Sequence, residues 1–128
     1  MVALASIGKA SGAVGGRNFD HTVDVEGISA LTDHVLAMET GTTTRPAMDE
    51  ILPMVLRHLN SLLDTGLGQV GNGEARALRH MALSLIERGS RPNDETPAFG
   101  VFIHLHETAL ITRRLLCIYA QREGLNLP

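Results

Sequence analysis

The sequence predicts an all-α protein: a four-helix bundle-like single domain with a flexible N-terminal arm and a long C-terminal helix. Leu and Ala are abundant, whereas aromatic residues make up only 3% of the 128 residues, and this balance favours helices over strands. Apolar residues recur at helical spacing in several segments. A chain of this length matches one domain with one core. We assign residues 1–22 to the arm and residues 23–128 to the helical bundle domain.

The arm is predicted from its glycines, which interrupt any helical pattern at Gly8, Gly12, Gly15 and Gly16. Glycine is costly inside a helix, and a terminus without packing partners is poorly ordered. We therefore expect a flexible segment. Scattered apolar residues leave a second interpretation open, in which the arm docks on a neighbouring subunit.

The first helix is predicted from Glu26 to Met38, because Ile28, Leu31, Val35 and Met38 share one helical face. The second helix is predicted from about Pro46, since proline fits the first turn of a helix, to about Asp64. Its apolar arc consists of Met48, Ile51, Leu52, Val55, Leu59, Leu62 and Leu63.

The third helix is predicted from Glu74 to Arg88, with Arg79 and His80 facing solvent. Its predicted apolar face consists of Ala77, Leu78, Met81, Ala82 and Leu85. The glycine-rich residues 66–73 that precede it resemble a phosphate-binding loop in composition. Such a loop needs Lys and Ser or Thr after its last glycine, so we interpret this segment as a turn.

The fourth helix is predicted from Ala98 to Glu123, with Thr96 as its N-cap and Pro97 in its first turn. It would be about 39 Å long and is apolar nearly all round. A helix that is apolar on every side must be covered on every side, so we expect part of its surface to contact another protein molecule. The predicted partner or subunit interface consists of Phe99, Phe102, Ile103, Leu110, Ile111, Leu115 and Ile118.

Three polar residues are candidates for ligand binding: His106, Arg113 and His58. Arg113 follows His106 by seven residues and lies in the same apolar arc. A buried Arg requires a carboxylate or several acceptors. One interpretation is an interhelical hydrogen bond and salt bridge, and the other is a small anionic ligand held by Arg113 with His106 as a second donor.

A metal site is only weakly indicated. His104 and Glu107 are spaced i, i+3, which would let both face one ion, but the paired Glu-x-x-His motifs of di-iron bundles do not occur. We therefore predict neither a metal nor another cofactor. Cys117, the single cysteine, is expected to be a buried thiol. The sequence has no Gly-x-Ser-x-Gly, no Gly-x-Gly-x-x-Gly after a strand and no His-Glu-x-x-His, so an enzyme is not expected.

Composition argues against two classes of partner. Nucleic-acid binding requires clustered cations and stacked aromatic rings, and this chain has a net charge of −3 with few aromatic residues. No apolar run approaches the about 18 residues of a membrane span, so no membrane partner is expected. The single cysteine indicates the cytoplasm. The preference for Arg, with Lys9 the only lysine, points to a bacterial source.

Together these observations predict a small non-enzymatic regulatory or adaptor protein. It would bind a protein partner through an apolar helix face, for example as an antagonist or modulator of a regulator, and form a homodimer. The alternative is a helical bundle that binds a metal, haem or a small anion through His and Arg of the last helix.

Overall fold

The computed structural model describes residues 23–68, 73–87 and 91–125, and the regular structure in this part of the chain is helical. Its helices are α1 (Val25–Leu36), α2 (Arg45–Leu63), α3 (Gly73–Ile86) and α4 (Ala98–Glu123). The predicted arm, residues 1–22, lies outside the described residues. Each of α1, α2 and α3 packs against α4, which is therefore the central element. The predicted all-α, bundle-like fold class is confirmed.

The starts of α1 and α2 follow from their capping residues. The Asp24 carboxylate accepts a hydrogen bond from the Gly27 N–H at 3.0 Å, and the Thr44 hydroxyl accepts one from the Ala47 N–H at 3.3 Å. Side-chain oxygens at these positions satisfy N–H groups that have no partner inside the helix. The first helix ends two residues before the predicted Met38, whose side chain remains half-buried in the following turn.

The buried face of α2 matches the predicted arc with one shift. Leu56, which the prediction left out, is buried, whereas Ile51 is only half-buried. The shift arises because α2 packs mainly against α4, and Leu56 lies in a core cluster with Val101 and Leu105 of that helix.

The predicted face of α3 is wrong at two positions. Ala77 and Met81 are exposed, and the buried residues of the helix are Ala75, Leu78 and Ala82. The helix is rotated because Arg79, predicted to face solvent, turns towards the end of α2. Its guanidinium donates to the carbonyl oxygens of Leu63, the last residue of α2, and of Leu67 in the following turn, each at 3.3 Å.

The bounds of α4 agree with the prediction, but its N-cap does not. Pro97 occupies the N-cap position and makes no side-chain cap. The Thr96 hydroxyl instead accepts a hydrogen bond from the Asn93 N–H at 2.9 Å. This hydrogen bond closes the turn that precedes α4. At the other end Gly124 adopts a φ of +70°, and the Leu125 N–H donates to the Ala120 carbonyl at 2.8 Å, as in a Schellman-type helix end.

Two apolar clusters form the core of the described part of the chain. The first joins all four helices and contains, among others, Ile28, Leu59, Leu62, Leu78, Ala82, Ile111, Leu115 and Leu116. The second joins α1, α2 and α4 and consists of Val35, Met48, Leu52, Val55, Leu56, Val101, Leu105 and Ala109. No described helix combines the length and apolar character needed to cross a membrane.

Candidate functional site

The helix α4 has several polar residues on the side that faces the core. His104, Thr108 and Thr112 are buried there. The Thr108 hydroxyl donates to the His104 carbonyl at 2.7 Å, and the Thr112 hydroxyl donates to the Thr108 carbonyl at 2.6 Å. These hydroxyls are satisfied within their own helix, which removes most of the cost of burying them.

Apolar residues line the opposite, outer side of α4. Phe99, Ile103 and Leu110 remain 63%, 43% and 50% exposed, respectively, and Cys117 is also exposed. Their spacings of four, seven and seven residues keep them within about 40° of one another around the helix, over about 27 Å of its length. We call these four residues the α4 stripe. The prediction that the Cys117 thiol is buried is thus wrong, because this side of α4 faces away from α1, α2 and α3.

The residues predicted for a partner interface separate into three environments. Phe99, Ile103 and Leu110 belong to the α4 stripe. Phe102 and Ile118 are half-buried at its margins, each packed against one core cluster. The other two, Ile111 and Leu115, are buried in the first core cluster. They are not available to a partner, because α4 uses that face to hold the fold together.

His106 and Phe102 form an aromatic pair on one flank of the α4 stripe. Their ring centroids lie 4.2 Å apart with an interplanar angle of 30°. Partial burial lowers the pKa of His106, because a low-dielectric environment disfavours the charged imidazolium. The Nε2 atom of His106 is buried and has no hydrogen-bond partner among the described residues. His106 therefore contributes mainly packing in this arrangement.

Arg113 connects α4 to α1. Its guanidinium donates to the Asp33 carboxylate and, at 3.3 Å, to the Thr32 hydroxyl. This geometry matches the interhelical interpretation of the sequence. Asp33 itself was not identified from the sequence, because nothing local marks it as the partner of a residue 80 positions away.

The three candidate ligand residues are not brought together by any direct contact. No hydrogen bond or ring contact joins His58, His106 and Arg113 to one another. His58, on α2, is half-buried, and burial lowers its pKa more than the nearby Asp24 carboxylate raises it. The guanidinium of Arg113 is already engaged by Asp33. The geometry thus offers no preformed anion site made from these residues.

His104 and Glu107 do not form a metal site with a third ligand. Within residues 23–68, 73–87 and 91–125, no three His, Cys, Asp or Glu side chains lie close enough to hold an ion. Burial lowers the pKa of His104, and Arg91 acts in the same direction, while the Glu107 carboxylate opposes them. The relation between His104 and Glu107 is therefore electrostatic.

A small cavity adjoins one end of the α4 stripe. It has a volume of about 80 Å³ and is lined by Thr40, Thr43, Met48, Ala98, Phe99 and Phe102.

No protein family, curated protein or solved structure matches this chain. The role of the α4 stripe therefore has to be inferred from its own geometry.

Proposed function

We propose that this chain is a small non-enzymatic regulatory or adaptor protein that binds proteins through the α4 stripe and self-associates as a homodimer. The observation that carries the proposal is the exposure of Phe99, Ile103 and Leu110 along one line of the central helix. Large apolar side chains grouped on a surface are typical of interaction sites, whereas single scattered ones are ordinary.

The energetics favour covering this stripe. Complete burial of a Leu, Ile or Phe side chain contributes about 1.5–3 kcal/mol. Because each of the three side chains is about half exposed, roughly 1 kcal/mol per residue remains to be gained when a partner covers it. A second helix laid along α4 would contact all three, which corresponds to the helix-in-groove mode of recognition.

The polar residues of α4 support a non-enzymatic role. Arg113 is held by Asp33, and His106 stacks on Phe102. Both make structural contacts within the chain, so neither is poised to act on a substrate. The exposed Cys117 thiol fits a reducing cytoplasm, where free thiols persist.

The test is affinity capture from an extract of the source organism with three immobilised proteins: wild type, I103D/L110D and the control L83D. Leu83 lies on α3 and is exposed to a similar degree as Ile103, so L83D places an aspartate at a comparably exposed apolar position away from the α4 stripe. Circular dichroism checks that the variants remain helical. We expect the wild type and L83D to retain bound protein, including further copies of the chain, that I103D/L110D loses. Identical binding by all three would overturn the proposal.

A further inference from the structure

Two opposite charges flank the centre of the α4 stripe. Glu107 lies three residues before Leu110, and Arg114 lies four residues after it. Both are exposed, and their spacing of seven residues places them within about 20° of each other on the same flank of the helix. Neither forms an ion pair with another described residue.

This arrangement is self-complementary under one particular symmetry. A two-fold axis perpendicular to α4 near Leu110 would place a second α4 antiparallel to the first and keep each flank facing the same flank of the other copy. Residues whose distances before and after Leu110 are equal, or differ by one position, would then lie across from each other. Glu107 of each copy would meet Arg114 of the other, twice per dimer, and Ile103 would meet Cys117.

We propose that the occupant of the α4 stripe is a second copy of this chain, packed antiparallel across Leu110 with two reciprocal Glu107–Arg114 ion pairs. The inference rests on the proposed function and names the partner for that surface. Contacts of this kind, in which one patch meets itself, are the usual interface of two-fold dimers. Charges beside an apolar seam set helix orientation in coiled coils in the same way.

A parallel arrangement is less complementary. A two-fold axis along the helix direction would bring opposite flanks together at the same height. Glu107 would then face the flank that carries His106 and Arg113, and Arg113 is already engaged by Asp33. Cys117 would face Cys117 of the second copy. The pattern of charges thus favours the antiparallel dimer.

The dimer is expected to be in equilibrium with the monomer. Stable interfaces bury about 800 Å² on each partner, and a seam of four side chains on one helix falls short of that. We expect the weight-average mass in sedimentation equilibrium to rise from the 13.8 kDa of one chain towards twice that value as the protein concentration increases.

The orientation can be tested by disulfide cross-linking of the full-length chain. In the antiparallel dimer, I103C introduces a thiol opposite the native Cys117 of the second copy. We expect mild oxidation to cross-link I103C strongly, and to cross-link the wild type and I103C/C117S no more than the control L83C/C117S, whose new thiol lies on α3. Efficient cross-linking of the wild type or of I103C/C117S would indicate parallel helices and overturn the inference.

The ion pairs can be tested by exchanging the charges. Either E107R or R114E alone places like charges together twice per dimer, and we expect each to raise the dimer dissociation constant about tenfold, since exposed pairs contribute up to about 1 kcal/mol each. The exchanged variant E107R/R114E restores both pairs and should associate as the wild type does. If the double variant associates no better than the single ones, the reciprocal pairing is wrong.

The result also separates this inference from the proposed function. A chain that stays monomeric at every concentration, while stripe-dependent capture of another protein persists, overturns the antiparallel dimer and the homodimer, and leaves the proposed binding of a different protein in place. If the wild-type chain shows neither self-association nor stripe-dependent capture, the antiparallel dimer and the proposed function are both overturned.

Discussion

Arg113 of α4 donates a hydrogen bond to the carboxylate of Asp33 on α1, and this contact joins two helices that are far apart in the sequence. The same guanidinium donates to the Thr32 hydroxyl at 3.3 Å, which in turn donates to the Ile28 carbonyl at 2.8 Å. One arginine therefore connects the outer edge of the α1–α4 contact to its buried interior.

We expect Arg113 to matter more for stability than Asp33. The Asp33 side chain is 64% exposed, whereas that of Arg113 is 26% exposed, so R113A loses packing of the aliphatic stem as well as the charge. We predict that R113A lowers the free energy of unfolding by about 1–2 kcal/mol and D33N by less than about 1 kcal/mol, measured by urea denaturation. A larger loss for D33N than for R113A would show that the ion pair, not the stem, dominates.

Arg45 holds the turn before α4 against the start of α2. Its Nε donates to Asp49 at 2.9 Å and one terminal nitrogen donates to the Asn93 carbonyl at 2.8 Å; the other donates to the Thr96 carbonyl. A lysine keeps the charge but cannot reach three acceptors with a planar fork. We predict that R45K costs about 1–2 kcal/mol and accelerates amide hydrogen exchange in residues 93–97.

The matched control for Arg45 is R57K, because Arg57 is exposed on the same helix and makes no comparable hydrogen bond among the described residues. It should leave both the stability and the exchange of that turn unchanged. If R45K exchanges at the wild-type rate in residues 93–97, the contact does not order the turn.

Gly68 lies in the turn that follows α2, where the backbone passes close to α3, and the position requires glycine. Its φ is +82°, and an added Cβ would lie 2.5 Å from the Ala75 carbonyl oxygen. Gly124 also has a positive φ, but nothing lies within 4 Å of an added Cβ. We predict that G68A costs about 2–4 kcal/mol from backbone strain and overpacking, and G124A about 1 kcal/mol from strain alone.

Gly41 completes this series as a control without either problem, since an added Cβ meets nothing and its φ is not in the left-handed region. G41A should change the thermal midpoint little. From highest to lowest, the expected order of thermal midpoints is G41A, then G124A, then G68A. Equal midpoints for G68A and G124A would indicate that α3 moves away to accept the methyl group.

His104 is expected to make stability depend on pH. Burial, the largest cause, lowers its pKa below the ordinary value of 6.5, so the unfolded chain takes up a proton at a higher pH than the folded chain does. Between those two pKa values the unfolded state binds more protons, and acidification favours it. We predict that the free energy of unfolding falls as the pH is lowered from about 7.5 to about 5.5, and that H104L falls less steeply.

The control for this prediction is H80N, which removes an exposed histidine from α3. It should follow the wild-type pH dependence. A wild-type slope in H104L would mean that His58 and His106, whose pKa values burial also lowers among the described residues, account for the effect.

The sequence by itself determined where the helices lie. Pro46 marks the start of α2, Gly124 marks the end of α4, and apolar residues at helical spacing fill the segments between. These signals are local: each depends on backbone geometry and hydrogen bonding within one turn. The bounds of α4 could therefore be predicted from neighbouring residues alone.

Only the tertiary structure decided which faces of α3 and α4 are buried. On α4 the polar Thr108 and Thr112 face the core, and the apolar Phe99 and Leu110 face solvent, so hydrophobic pattern alone points to no single buried side. The hydroxyls tolerate burial because carbonyls of the same helix accept their hydrogen bonds. The exposed apolar side chains result from three helices packing on one side of a fourth, an arrangement that depends on contacts between residues distant in the sequence.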